Sequence, residues 1–141
     1  MMQQTPNAID DIVRGRVGWV RDGRIGLRID GSDYELHLVL EGDPQTLPPE
    51  GKRVRGVIRG QALKINVAHA GGQFIEPVLG HPRIVNGVVV AVDPAENRIL
   101  AHVVVPMWVD VAEGQSARDF STGQLVNFYF ASGVSFTPIF D

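Results

Sequence analysis

The sequence predicts an all-β protein built as two tandem five-stranded small barrels packed together, and three observations carry that expectation. First, Ile12-Val13-Arg14-Gly15-Arg16-Val17 returns as Ile84-Val85-Asn86-Gly87-Val88-Val89 at an offset of 84 − 12 = 72. Arg24-Ile25 returns as Arg98-Ile99 at 98 − 24 = 74, Tyr34 falls opposite Trp108 at that offset, and Gly51 with Val54 falls opposite Gly123 with Val126 at 72. A shared run of turns, glycines and apolar positions over this length marks an internal repeat. Second, apolar and polar residues alternate with a period of two, which sets one face of a strand toward a core and the other toward water. Third, each copy holds a long polar crossing between its third and fourth apolar runs.

Residues 1–10 are polar and read as a loose tail. From Ile12 the alternation puts Val13, Gly15, Val17 and Trp19 inward and Arg14, Arg16 and Gly18 outward. Asp22-Gly23 suits a two-residue hairpin, because that turn needs positive φ at both positions. A second strand follows with Ile25, Leu27 and Ile29 inward, and a third with Tyr34, Leu36 and Leu38 inward. Residues 41–51 hold three prolines and no helical period, as expected of a loop that crosses the sheet. The fourth strand turns Val54, Gly56 and Ile58 inward; a tight turn at Arg59-Gly60-Gln61 leads to a fifth, with Leu63, Ile65 and Val67 inward. Residues 70–82 have linker punctuation but carry Phe74, Ile75, Val78 and Leu79, so this connector is expected to pack.

The second copy repeats the order, with strands at 84–92, 98–105, 107–112, 124–131 and 134–140. Both of its faces are apolar, so much of its outer surface should be covered. Five strands with a long crossing between the third and fourth resemble the OB-type barrel, which closes in the order 1-2-3-5-4-1, and mid-strand Gly15 and Gly87 suit the bend of its first strand. An SH3-like barrel or a single β-sandwich fits the same alternation. Each unit, 11–69 and 83–141, spans 59 residues (69 − 11 + 1 and 141 − 83 + 1). A unit of that size buries only about 60% of its unfolded surface, so the two should dock on each other or on a second chain. At matched positions Trp19 and Gly56 are exchanged for Ala91 and Phe128, which predicts Trp19 packed over Gly56 and Phe128 over Ala91.

Composition bounds the function. With 44% hydrophobic and 21% charged residues the chain reads as a globular domain, and with no cysteine it offers neither a disulfide nor a thiolate ligand or nucleophile. The start lacks the basic and apolar regions of a signal peptide and no stretch is long enough for a membrane helix, so a cytoplasmic protein without membrane contact is expected. The net charge of −3 is uneven: residues 11–69 carry ten Lys/Arg against eight Asp/Glu, whereas residues 83–141 carry three against six. The two copies should therefore do different things.

The candidate site is the basic set Arg14, Arg16, Arg24, Arg28, Arg53, Arg55, Arg59 and Lys64 on the outside of the first unit. Strands one, two and four are contiguous in the OB order, which would join these residues into one face able to track the phosphates of nucleic acid or another polyanion. The plainer account is that outward Arg and Lys merely solvate strands, and the absence of an outward aromatic among them speaks for it. A second candidate is an apolar interface of Val88, Val90, Leu125 and Tyr129, which would make a homo-oligomer or cap a protein partner. His37, His69, His81 and His102 have no metal-like spacing, and neither a metal nor another cofactor is expected. Asp119-Phe120-Ser121-Thr122-Gly123 is similar to the Asp-x-Ser-x-x-Gly element of PilZ domains but is one spacer short, and Arg118 has no arginine four residues before it; a polar turn accounts for it. No nucleophile–base pair, phosphate loop or dinucleotide fingerprint is present, so the expected function is binding or assembly and not catalysis.

Overall fold

The computed structural model describes residues 9–140, so the expected loose tail lies almost wholly outside the described residues. Eleven strands form one mixed sheet system: β1 (Val13–Arg21), β2 (Arg24–Arg28), β3 (Glu35–Leu40), β4 (Arg53–Val67), β5 (Phe74–Glu76), β6 (Leu79–Gly80), β7 (Ile84–Asp93), β8 (Arg98–Val103), β9 (Val105–Asp110), β10 (Leu125–Phe130) and β11 (Ser135–Pro138). The two polar crossings hold only short 3-10 turns at Pro44–Thr46 and Ala117–Asp119, capped by the Asp43 and Ser116 side chains. Asp22 and Gly23 have φ of 52° and 72°, as the hairpin between β1 and β2 requires.

The strands pair in two closed paths. In the first, β1 pairs with β2, β2 with β3, β3 with β11 in parallel, β11 with β4 and β4 with β1, the others antiparallel. In the second, β7 pairs with β8, β8 with β9, β9 with β4 in parallel, β4 with β10 and β10 with β7. The halves are exchanged at one strand. The last strand of the chain sits between β3 and β4 of the first half, and the carboxyl end of β4 sits between β9 and β10 of the second.

This exchange removes the turn expected at Arg59-Gly60-Gln61, because β4 runs unbroken for 15 residues through that point. Gly60 is needed for a close approach and not for a bend. A Cβ there would come within 2.6 Å of the Phe130 ring. Gly15 and Gly87 do similar service: a Cβ would lie 2.6 Å from the Arg28 carbonyl oxygen in one case and 2.8 Å from Val103 in the other.

Bulges revise the inward faces. The ladder shifts register between Val17 and Trp19 and, 72 residues later, between Val89 and Ala91, so the repeat extends to this irregularity. A bulge inserts one residue and reverses which side chains follow inward. Trp19 thus turns outward and lies over Gly26, not Gly56, while Gly56 takes the ring of Phe136. Ala91 packs outside the sheet with Leu100 and Trp108, so Phe128 does not cover it. A volume exchange between the copies does exist, at other partners: Trp19, Gly26 and His37 lie side by side across three strands where the second half has Ala91, Leu100 and Trp108. The pairing therefore matches Trp108 with His37 and not with Tyr34. A third shift, between Phe128 and Phe130 of β10, gives β4 an extra residue and turns Leu63 outward, 63% exposed, while Ile65 stays inward at 2% and Val67, at the end of the strand, is 41% exposed.

The core is continuous through both halves and includes Val13, Ile25, Leu38, Ile58, Val85, Ile99, Val109, Phe128 and Phe136. The connector packs as its apolar residues required, though not with all of them. Ile75 is buried beside Val85 and its N–H donates to the Tyr34 hydroxyl at 3.0 Å, whereas Val78 and Leu79 remain exposed. The apolar outside of the second half is covered in part. Trp108 is buried under Val57 and the Arg98 guanidinium, 3.8 Å from its ring, and its indole Nε1 donates to Asp11 at 2.8 Å.

Candidate polyanion-binding face

The ladder between β1 and β4 sets Arg14 opposite Arg55 and Arg16 opposite Arg53, and the ladder between β1 and β2 sets Arg16 opposite Arg28. All five residues alternate with inward Val13, Gly15, Val17, Leu27 and Val54, so they share the outer face. Residues directly opposite in an antiparallel pair have Cβ atoms about 4.5–5.5 Å apart, and like charges there destabilise the pair. Carboxylates answer part of that repulsion. Arg16 Nε donates to Asp30 at 3.0 Å, Arg28 Nε to Glu35 at 3.3 Å, and Arg14 lies 3.5 Å from Asp10 in a solvent-exposed pair. Among the described residues Arg53 has no carboxylate partner. A cleft of about 460 Å³ opens between Arg14, Arg53, Arg55 and Asp30, floored by Gly15 and Val54.

Three residues of the expected set lie elsewhere. Arg24 is at the far end of β2, opposite Arg21 and Val39, with its Nη1 3.4 Å from His81 Nδ1. Arg59 is held by Asp110 of the second half, with Nη2 donating at 2.8 Å and Nε at 3.0 Å; the carboxylate holds the guanidinium pKa above its usual value. Lys64 belongs to the part of β4 that pairs with β10. Both lie beyond Gly56, where the ladder between β1 and β4 ends: Arg59 is opposite Ser135 of β11 and Trp108 of β9, and Lys64 follows on the stretch that pairs with β10.

Glu35 organises the outer edge of the face. His37 Nε2 donates to its carboxylate at 2.9 Å, and this bond, with lesser help from Arg28 and the Trp19 indole, holds the Glu35 pKa below the ordinary glutamate value. A lowered carboxylate pKa contributes stability that is present above the unfolded value and is lost as pH falls through the folded one. Glu35→Gln is therefore expected to flatten the acid limb of the stability curve below about pH 5, read by urea melts at a series of pH values. An unchanged acid limb would show that the carboxylate contributes nothing.

The apolar candidates divide. Val88 and Leu125 are cross-strand partners and half-buried, Tyr129 is opposite Ile84 and 52% exposed, and Val90 is 42% exposed. Val90 lines a shallow cleft with Ile9, Asp10, Leu100, His102 and Pro106, on the side where the amino-terminal segment crosses the second half. Sequence reasoning missed Leu63, which the extra residue in β4 turns outward. Of the histidines, His37 and His81 come together, with ring centroids 6.1 Å apart; among the described residues no group of three or more His, Asp or Glu is arranged to hold a metal ion. The Asp119–Gly123 segment is a polar turn: Asp119 accepts from the Ser116 N–H, Gln124 accepts from the Ser121 N–H, and Gly123 has φ of 95°. No helix among the described residues is long and apolar enough to cross a membrane.

These features define an all-β protein with one mixed sheet of eleven strands and a cluster of outward arginines. Compared with known proteins, the chain matches no family model, no curated protein and no solved structure.

Proposed function

We propose that the chain is a non-enzymatic binding module of two OB-like barrels that exchange their fifth strands, and that it holds nucleic acid or another polyanion on the outer face of the first. The closed pairing of β1, β2, β3, β11 and β4, with the third and last members parallel, supports the barrel reading, since it follows the order 1-2-3-5-4-1. The observation that carries the function is the set of like-charged cross-strand neighbours, Arg14 with Arg55 and Arg16 with both Arg53 and Arg28. Such pairs cost stability in the free protein, and the carboxylates of Asp10, Asp30 and Glu35 offset part of that cost. Phosphates laid along the face would add to that compensation and release counterions.

Aromatic support is sparse on this face. Two rings stand at its border: Trp19, whose indole reaches the Glu35 carboxylate beside Arg28, and Phe140, 55% exposed and next to Ile139, whose N–H donates to the Arg55 carbonyl. Binding should therefore depend on charge and show weak sequence preference. In a salt titration with a labelled single strand, four phosphate contacts give a slope of log affinity against log salt of about −3. Replacing Arg14, Arg16, Arg53 and Arg55 together by alanine should remove most of that slope while circular dichroism stays unchanged. Equal binding by the folded mutant, or none by the wild type at low salt, would overturn this function.

A second reading, assembly as a homo-oligomer or with a protein partner, is favoured by the exposed pair Leu63 and Tyr129, which lie on adjoining strands β4 and β10 beside Leu125 and Val88. Sedimentation of wild type beside Leu63→Ser/Tyr129→Ser separates the two: a dimer that the double variant dissociates belongs to assembly, and a monomer throughout excludes a homo-oligomer through this face.

A further inference from the structure

Between the two halves lies a second cleft, of about 270 Å³, that shares no lining residue with the arginine ladder. Four segments converge on it. β2 contributes Arg24, β3 contributes His37, the entry to β7 contributes His81, Pro82 and Arg83, and the link from β10 to β11 contributes residues 130–134. No acidic residue lines it, and among the described residues neither Arg24 nor Arg83 has a carboxylate partner. The nearby Glu35 carboxylate is engaged by His37 at 2.9 Å and Arg28 at 3.3 Å. The N–H groups of Ser132 and Gly133, on the rim, make no hydrogen bond among the described residues.

At His81 two contacts on the solvent-exposed edge of the cleft compete for one ring nitrogen. Nδ1 of His81 lies 3.4 Å from Nη1 of Arg24, which can only donate, and 3.2 Å from the carbonyl oxygen of His37, which can only accept. If Nδ1 is bare it accepts from Arg24 and faces the carbonyl lone pair. If Nδ1 carries the proton it donates to the carbonyl and faces the Arg24 donor. An anion in the cleft would offset that repulsion: His81 gives Nδ1–H to the His37 carbonyl, and its Nε2–H, Arg24 and Arg83 donate to the anion.

We propose that this cleft is a binding site for a phosphate dianion, free or as the monoester group of a small molecule, held by Arg24, Arg83 and His81. Two guanidinium groups match two negative charges, and planar forked donors suit phosphate oxygens. The cleft at the meeting of the halves is smaller and less open than the one along the ladder of β1 and β4, which suits a small ligand. The groups that face His81 are Arg24 from β2, the His37 ring from β3 and Arg83 in its own segment; the link from β10 to β11 brings no titratable side chain.

The test is a titration of the full chain with inorganic phosphate and with phenyl phosphate, followed by nuclear magnetic resonance of the His81 imidazole and the arginine side chains. The expected result is a saturable shift at His81, Arg24 and Arg83, and a loss of affinity of about tenfold or more in Arg24→Gln and in Arg83→Gln. Arg118→Gln, remote from the cleft, serves as the control for general loss of charge and should bind as the wild type does. Tighter binding of phenyl phosphate assigns the site to a monoester, and equal binding assigns it to the free anion. Absence of a saturable shift, or affinity that both glutamine variants retain while folded by circular dichroism, would overturn the proposal.

Discussion

Phe136→Ala is expected to lower the unfolding free energy by about 3–5 kcal/mol, the cost of removing a large aromatic side chain from a filled core. Phe136 is fully buried, its ring fills the space over Gly56, and its strand joins β3 to β4. A native domain has only about 5–15 kcal/mol in hand, so this one change brings the protein near its limit. The loss should appear far from the mutation in sequence. Amide protection is expected to fall at Ile25, Leu38 and Ile58, because the last strand of the chain closes the path that holds them. Hydrogen exchange of wild type and variant measures this directly, and a loss confined to residues 124–140 would contradict the exchanged pairing. By the same reasoning thermal unfolding should show one transition, since β4 serves both halves and neither path closes without strands from the other.

Gly56→Ala is the second large effect, expected at about 3 kcal/mol, the upper end for overpacking. A Cβ at this position would collide with the Thr137 carbonyl oxygen and come within 2.6 Å of the Phe136 ring. The ring could turn aside, but the carbonyl belongs to the paired backbone of β11 and cannot move without breaking the ladder. Combining the two substitutions should therefore be less than additive, since removing the Phe136 ring relieves one clash and leaves the other. Denaturant melts of the two single variants and the double variant measure the coupling. Full additivity would mean that residues 56 and 136 do not touch.

Much of the fold could be read from the residues. Alternation in 13–17, 24–28, 35–40 and 53–58 was enough to assign strands and inward faces, because a period of two is a local property of the chain. The Asp22-Gly23 turn was equally legible, as few residues tolerate two successive positive φ angles. So was the pairing of Arg14, Arg16, Arg53 and Arg55 on one face, since it needs only that the first and fourth strands be neighbours.

What the sequence by itself determined was therefore the strand content, the repeat and which arginines face water. The tertiary structure decided which half each fifth strand joins, and where the ladder between β1 and β4 ends, which leaves Arg59 and Lys64 outside the cluster. Gly60 shows why: a glycine reads the same whether it bends the chain or admits a ring, and only the arrival of Phe130 from the other half distinguishes the two. The bulges at 17–19, 89–91 and 62–65 likewise reversed Trp19, Ala91 and Leu63, because an extra residue leaves the alternation intact on either side and is defined only by the partner strand. The cleft of Arg24, His37, His81 and Arg83 joins residues from four segments, and no local pattern announces such a meeting. Strand formation is written locally, whereas register and partner are set by how the whole chain closes over one core.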